Sequence, residues 1–157
     1  MSTIRDRMTG RSAHSPAQTV ATVVALAFLA VGILGFIPGI TTHYGDMTFA
    51  GHESDAKLLG IFEVSILHNL VHLLYGVVGL ALARSASGAI SYLIAGGAVY
   101  LVLWLYGLLI EKDSGANFVP LNSADDWLHF GLGVVMVGAG VALRGRATNR
   151  SRAGGVL

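Results

Sequence analysis

Six residues in apolar surroundings carry most of the chemistry open to this chain: His68, Asn69, His72 and Tyr75 in one hydrophobic run, and Asp126 and His129 in another. Two histidines four apart share one face of a helix. Both imidazoles can then reach a single metal ion, and a third imidazole from another helix would add a further ligand. Histidines on facing helices can also hold a haem iron between them, or carry protons through an apolar layer in a proton-linked or quinone-like role. The plainer alternative is structural. The same groups would bond to one another, to Asp126, to a tyrosine or to trapped water and so cement helices together.

The elements that must position these residues are set by composition. Of the 157 residues, 54% are hydrophobic and only 12% charged, with a mean hydropathy of +0.66. Soluble domains carry roughly a quarter charged residues, so the chain reads as a membrane protein. A bilayer core about 30 Å thick needs about 20 apolar residues per helix. Four segments meet that need, near 18–37, 58–83, 89–110 and 124–143. The expected fold is an all-α membrane protein with four transmembrane helices. With no cysteine, disulfides, thiolate metal sites and a catalytic thiol are excluded. No nucleophile–base pair or phosphate-binding loop lies within the spans, so the reading is of a non-enzymatic or accessory protein.

Residues 1–17 hold Arg5, Arg7 and Arg11 among Ser, Thr, Gly and Pro, and read as a disordered basic tail. The first apolar run is longer than the core of a secretory signal and lacks a small-residue cleavage pattern, so it reads as a retained helix stopped by Pro38 and Gly39. An acidic loop follows. Ser54 is then a candidate N-cap for a second helix that begins as an amphipathic turn around Leu58. The short link at Arg84–Gly88 makes the second and third helices antiparallel neighbours. Ser123 with Asp126 three residues on resembles a capping box for the fourth helix, and residues 144–157 read as a second disordered basic tail.

Orientation follows from the basic residues. Arg5, Arg7, Arg11, Arg84, Arg144, Arg146, Arg150 and Arg152 fall on one side, Lys57 and Lys112 on the other, which places both termini in the cytoplasm. Asn69-Leu-Val-His72-Leu-Leu-Tyr75-Gly76-Val-Val matches Asp126-Trp-Leu-His129-Phe-Gly-Leu-Gly133-Val-Val without a gap. The expectation is of two duplicated hairpins related by an axis along the membrane normal. At 100° per residue His68, His72, Tyr75, Gly76 and Gly79 share one stripe, and Asp126, His129, Gly133 and Gly140 another. These stripes are expected to face each other, bringing the three histidines into one polar pocket. If it held a cofactor, this would be haem or a divalent metal on His68, His72 and His129.

The pattern His68-Asn-Leu-Val-His72-Leu-Leu-Tyr-Gly76-Val-Val-Gly79, with the later Ala-Asp-Asp126-Trp-Leu-His129-Phe-Gly-Leu-Gly133, resembles bacterial membrane proteins grouped as the domain of unknown function DUF4383. The likeness covers residues from about 20 to 143. It implies a small multi-span membrane protein, and it supplies no activity and no catalytic residue. More remotely, the layout is similar to small four-helix membrane proteins of the DoxX type, some of them linked with respiratory chains. The expected location is the cytoplasmic membrane. Expected partners are the lipid bilayer and a second copy or a larger membrane complex, and the arginine-rich tail reads as a topology determinant with affinity for anionic headgroups, not as a nucleic-acid arm.

Overall fold

The computed structural model describes residues 14–154. Four helices account for most of it: α1 (Pro16–Leu34), α2 (Ile66–Leu82), α3 (Ala86–Leu109) and α4 (Ser123–Gly154). α1, α3 and the Ser123–Arg146 part of α4 are long and apolar enough to cross a membrane, whereas α2 is apolar but spans only 17 residues. Most of the expected basic N-terminal tail and the last three residues lie outside the described region. Its inner end does not: Ser15 caps α1 with a capping box closed by Gln18, and Pro16 occupies the first turn.

Three boundaries differ from the sequence expectation for identifiable reasons. The second helix starts at Ile66, not near 58, because Leu59 and Gly60 adopt positive φ (56° and 71°) and turn the chain back on itself. Strands β2 (Lys57–Leu58) and β3 (Phe62–Glu63) flank that turn, and β1 (Thr41–Thr42) pairs with β2 to give a small antiparallel sheet in the order β1-β2-β3. Ser54 therefore caps no helix; its hydroxyl donates to the Val64 carbonyl at 2.6 Å, and Ser65 accepts the His68 N–H as the true cap. For α4 the capping box sits one residue earlier than expected. Asn122 Oδ1 accepts from Asp125 N at 3.0 Å while Asp125 Oδ2 accepts from Asn122 N at 2.9 Å. α4 also does not stop at Leu143 but runs on to Gly154, through Ala and Arg residues of good helix propensity.

Helix packing also differs from expectation. α2 and α3 are joined by a short turn as expected, yet the extensive contacts are α1 with α2 and α3 with α4, and the packing of α2 against α4 is slight among the described residues. The glycine stripes therefore face within each hairpin, not across to each other. A Cβ on Gly76 would lie 2.6 Å from Leu29 Cγ and 2.8 Å from the Ala25 carbonyl; one on Gly133 would lie 2.7 Å from Leu101 Cγ and 3.0 Å from the Gly97 carbonyl. Such approach is open only to glycine, and helices in lipid associate through it. Gly79 admits Ala25 and the Tyr92 ring, and Gly140 admits Ile94. The core is built of small residues on α1 (Ala17, Ala21, Ala25) against Tyr92, Leu93 and Tyr100 of α3 and Met136 of α4.

Candidate functional site

The sheet-side halves of the helices enclose a cluster of imidazole and phenol rings. α2 supplies its centre. Ser65 fixes the start of the helix by accepting from His68 N at 3.1 Å, which sets His68 and His72 one above the other with ring centroids 4.2 Å apart. His72 Nδ1 lies 3.0 Å from the His68 carbonyl, and a carbonyl only accepts, so Nδ1 carries the proton. Nε2 of a neutral His72 is then the acceptor for the Tyr100 hydroxyl at 3.4 Å. Tyr100 comes from α3 and stands between the hairpins. Its ring meets Phe28 of α1 at 5.2 Å, Tyr75 of α2 at 5.5 Å and His129 of α4 edge-on at 5.0 Å. Phe28 packs in turn on His72 at 5.6 Å and on Tyr75 at 4.7 Å.

Of the six residues singled out by type and spacing, the fold brings His68, His72, Tyr75 and His129 together and turns two away. Asn69, fully buried, directs its amide at Gly35, the C-cap of α1, and Asp126 directs its carboxylate at Gly107 of α3; in both places a Cβ would collide with the side-chain oxygen. Lys112 closes over Asp126, with Nζ 2.8 Å and 3.0 Å from the two carboxylate oxygens and 2.8 Å from the Gly107 carbonyl. The pair is well buried on the acid side, with the Asp126 side chain 5% exposed. Asp126 is thus the partner of a lysine and not of a histidine.

Three groups escaped the sequence reading as members of the site. Lys112 counted there only as an external charge. Phe28 looked like one more apolar residue of a span. Asp125, next to the aspartate singled out, is the one lining the cluster's cavity, and its Oδ2 also accepts from Glu63 N at 3.1 Å, tying the sheet to α4. Burial pushes the Glu63 carboxyl above the usual carboxylate range, against the pull of Lys57. Tyr100 carried a signal, since a phenol deep in an apolar helix needs a partner.

Among the described residues several buried polar atoms have no protein partner: Nδ1 of His68 and of His129, Oδ1 of Asn69, Nε1 of Trp104, and the hydroxyls of Tyr75 and Tyr92. Among the described residues no group of three His, Asp or Glu side chains is arranged to hold a metal ion. The histidines are interleaved with the Tyr100 and Phe28 rings, an arrangement suited to hydrogen bonding and ring packing. Replacing His72 by alanine removes the acceptor of Tyr100 and a ring packed on Phe28. It is expected to lower stability in detergent by about 1–3 kcal/mol, read by thermal or denaturant unfolding.

Neither a curated protein nor a solved structure matches the chain. The profile of one family does, over residues 18–142, which takes in α1 from Gln18 onward, all of α2 and α3, the sheet, and α4 as far as Ala142. By that match the chain belongs to the family described as a domain of unknown function, DUF4383.

Proposed function

We propose that this is a non-enzymatic protein of the cytoplasmic membrane with four spans and both termini cytoplasmic, built from two duplicated hairpins and working as an accessory to a larger membrane complex. The observation that carries the duplication is a correspondence of contacts. Asn69 at Gly35, Phe28 at His72, and Gly76 at Leu29 and Ala25 have counterparts in Asp126 at Gly107, Tyr100 at His129, and Gly133 at Leu101 and Gly97. In every pair the α2 residue and its α4 counterpart lie 57 positions apart, and the α1-side residue and its α3 counterpart lie 72 apart. The buried positions of α2, His68, Asn69, His72, Gly76 and Gly79, map likewise onto the buried Asp125, Asp126, His129, Gly133 and Met136 of α4. Chance resemblance between apolar helices does not extend to matching partners.

Duplication also bears on α2. A helix equivalent to α4 crosses the same layer, and its 17 residues, about 25 Å long, cover most but not all of the hydrocarbon thickness. In this reading the histidine and tyrosine rings are the cement between the two hairpins. Support for a partner comes from Gly131, Gly138 and Gly145 of α4, where nothing within 4 Å would oppose an added Cβ. They lie seven residues apart on a face that the chain leaves unpacked, as a helix–helix contact in lipid requires. A reporter fused after Leu157 is expected to be active only in the cytoplasm. Activity on the external side would overturn the four-span topology.

A further inference from the structure

Two cavities flank the histidine cluster, and the pseudo-symmetry relates them. The larger, about 370 Å³, opens between α1 and α4. Val24, Ala27 and Val31 of α1 and Leu132 of α4 form its sides, and His68 and His129 stand in its lining. The smaller, about 70 Å³, lies against α2 and α3 and shares His68, His72, Tyr100 and His129. Four of its six remaining wall residues are counterparts of those in the larger: Val71 for Leu128, Leu103 for Val31, Tyr106 for Leu34 and Val119 for Phe62. Tyr106 fills this half. Its hydroxyl donates to the Ala116 carbonyl and its ring meets Phe118 edge-on at 6.5 Å. Leucine occupies the matching position in the other half, and there the space stays open. Only the larger cavity has the size of a small-molecule site.

We propose that the α1–α4 cleft binds one membrane-soluble amphiphile per chain, its single apolar tail lying along α1 and α4 and an uncharged, oxygen-bearing head hydrogen-bonded to His68 and His129. This rests on the four-span reading, which sets the mouth of the cleft, beside the exposed Val23, in the hydrocarbon. Both imidazoles are nearly inaccessible, at 6% and 4% exposure, and the Nδ1 of each is buried with no partner among the described residues, so a head bonded to it must reach in past the surface of the cleft. Imidazole can donate or accept according to its tautomer, so a hydroxyl or carbonyl head suits either state. An anionic head does not fit. Among the described residues no lysine or arginine lines the cleft, and the carboxyl group already there, Asp125, would oppose a second. A cationic head has a weaker claim, because Asp125 is occupied in the capping box and with the Glu63 N–H.

The full-length protein in detergent, studied by native mass spectrometry with cetyl alcohol, palmitate and cetylamine in separate titrations, tests this directly. The expected result is one alcohol adduct per chain, with palmitate at least tenfold weaker. Ala27→Trp, a substitution on the exposed wall of the cleft, should lower alcohol binding at least tenfold. Leu26→Trp, on the lipid-facing surface but outside the lining, should leave it within twofold of wild type. Equal binding of alcohol and palmitate would overturn the uncharged head, and tightest binding of cetylamine would do so in favour of an Asp125 counter-ion. No adduct, or equal loss from both tryptophan variants, would overturn the site itself. Ala27→Trp-sensitive binding in a protein whose C-terminal reporter works outside would keep the site and remove the topology.

Discussion

Lys112→Ala is expected to cost about 3 kcal/mol of unfolding free energy, because it leaves the buried Asp126 carboxylate without its cation. The penalty comes less from the lost attraction than from stranding a charge in an apolar layer. A second substitution separates the two: Asn69 fills the equivalent position in the first hairpin, pressed against Gly35 as Asp126 is against Gly107. Asp126→Asn should therefore be tolerated, and Lys112→Ala combined with it should recover most of the loss. Urea or thermal unfolding of the four proteins in one detergent gives the cycle. If the double variant were as unstable as Lys112→Ala alone, the lysine would be holding the loop through the Gly107 carbonyl and not through the ion pair.

The other large effect is expected at Gly133. Leucine there must displace Leu101 and the Gly97 backbone, so the α3–α4 contact opens and stability falls by about 1–3 kcal/mol or more. Gly76→Leu should behave alike against α1, since a Cβ there would meet Leu29 and the Ala25 carbonyl at similarly short distances. Val134→Leu, on a half-exposed side of α4, should change stability by less than about 0.5 kcal/mol. Similar losses from Gly133→Leu and Val134→Leu would contradict the assigned face.

The helices were legible because hydropathy and length decide them almost without regard to tertiary context. The spacing of His68 and His72, and their repetition with Gly76 as His129 and Gly133, pick out residues that the fold buries on each helix. What spacing could not disclose was the identity of the opposing surface. The glycines of α2 and α4 looked made for each other, yet each found the small residues of its own hairpin, Ala25 and Gly97, whose lack of bulk gives no periodic signal. The start of α2 was misread for a local reason. Leu58, Leu59, Ile61 and Phe62 have helical spacing, but Gly60 favours a turn, and pairing with Thr41 and Thr42 satisfies the backbone as strands. The Lys112–Asp126 pair depends on how the loop after α3 folds back, which no sequence pattern encodes.

The brevity of α2 has a consequence for the surrounding lipid. Its 17 residues fall several ångströms short of an average hydrocarbon layer, whereas α3, with 24, exceeds it. Mismatch of that kind is relieved by local thinning, by tilt, or by flanking apolar groups that extend the shorter element. The turn between β2 and β3 supplies such groups, with Leu59 and Ile61 61% and 53% exposed. In the four-span arrangement proposed above, the sheet acts as an apolar collar at the rim, and the chain as a whole favours thin bilayers over thick ones. Shortening the lipid acyl chains of a reconstituted membrane should stabilise it, an effect that would diminish once Leu59 and Ile61 were made polar.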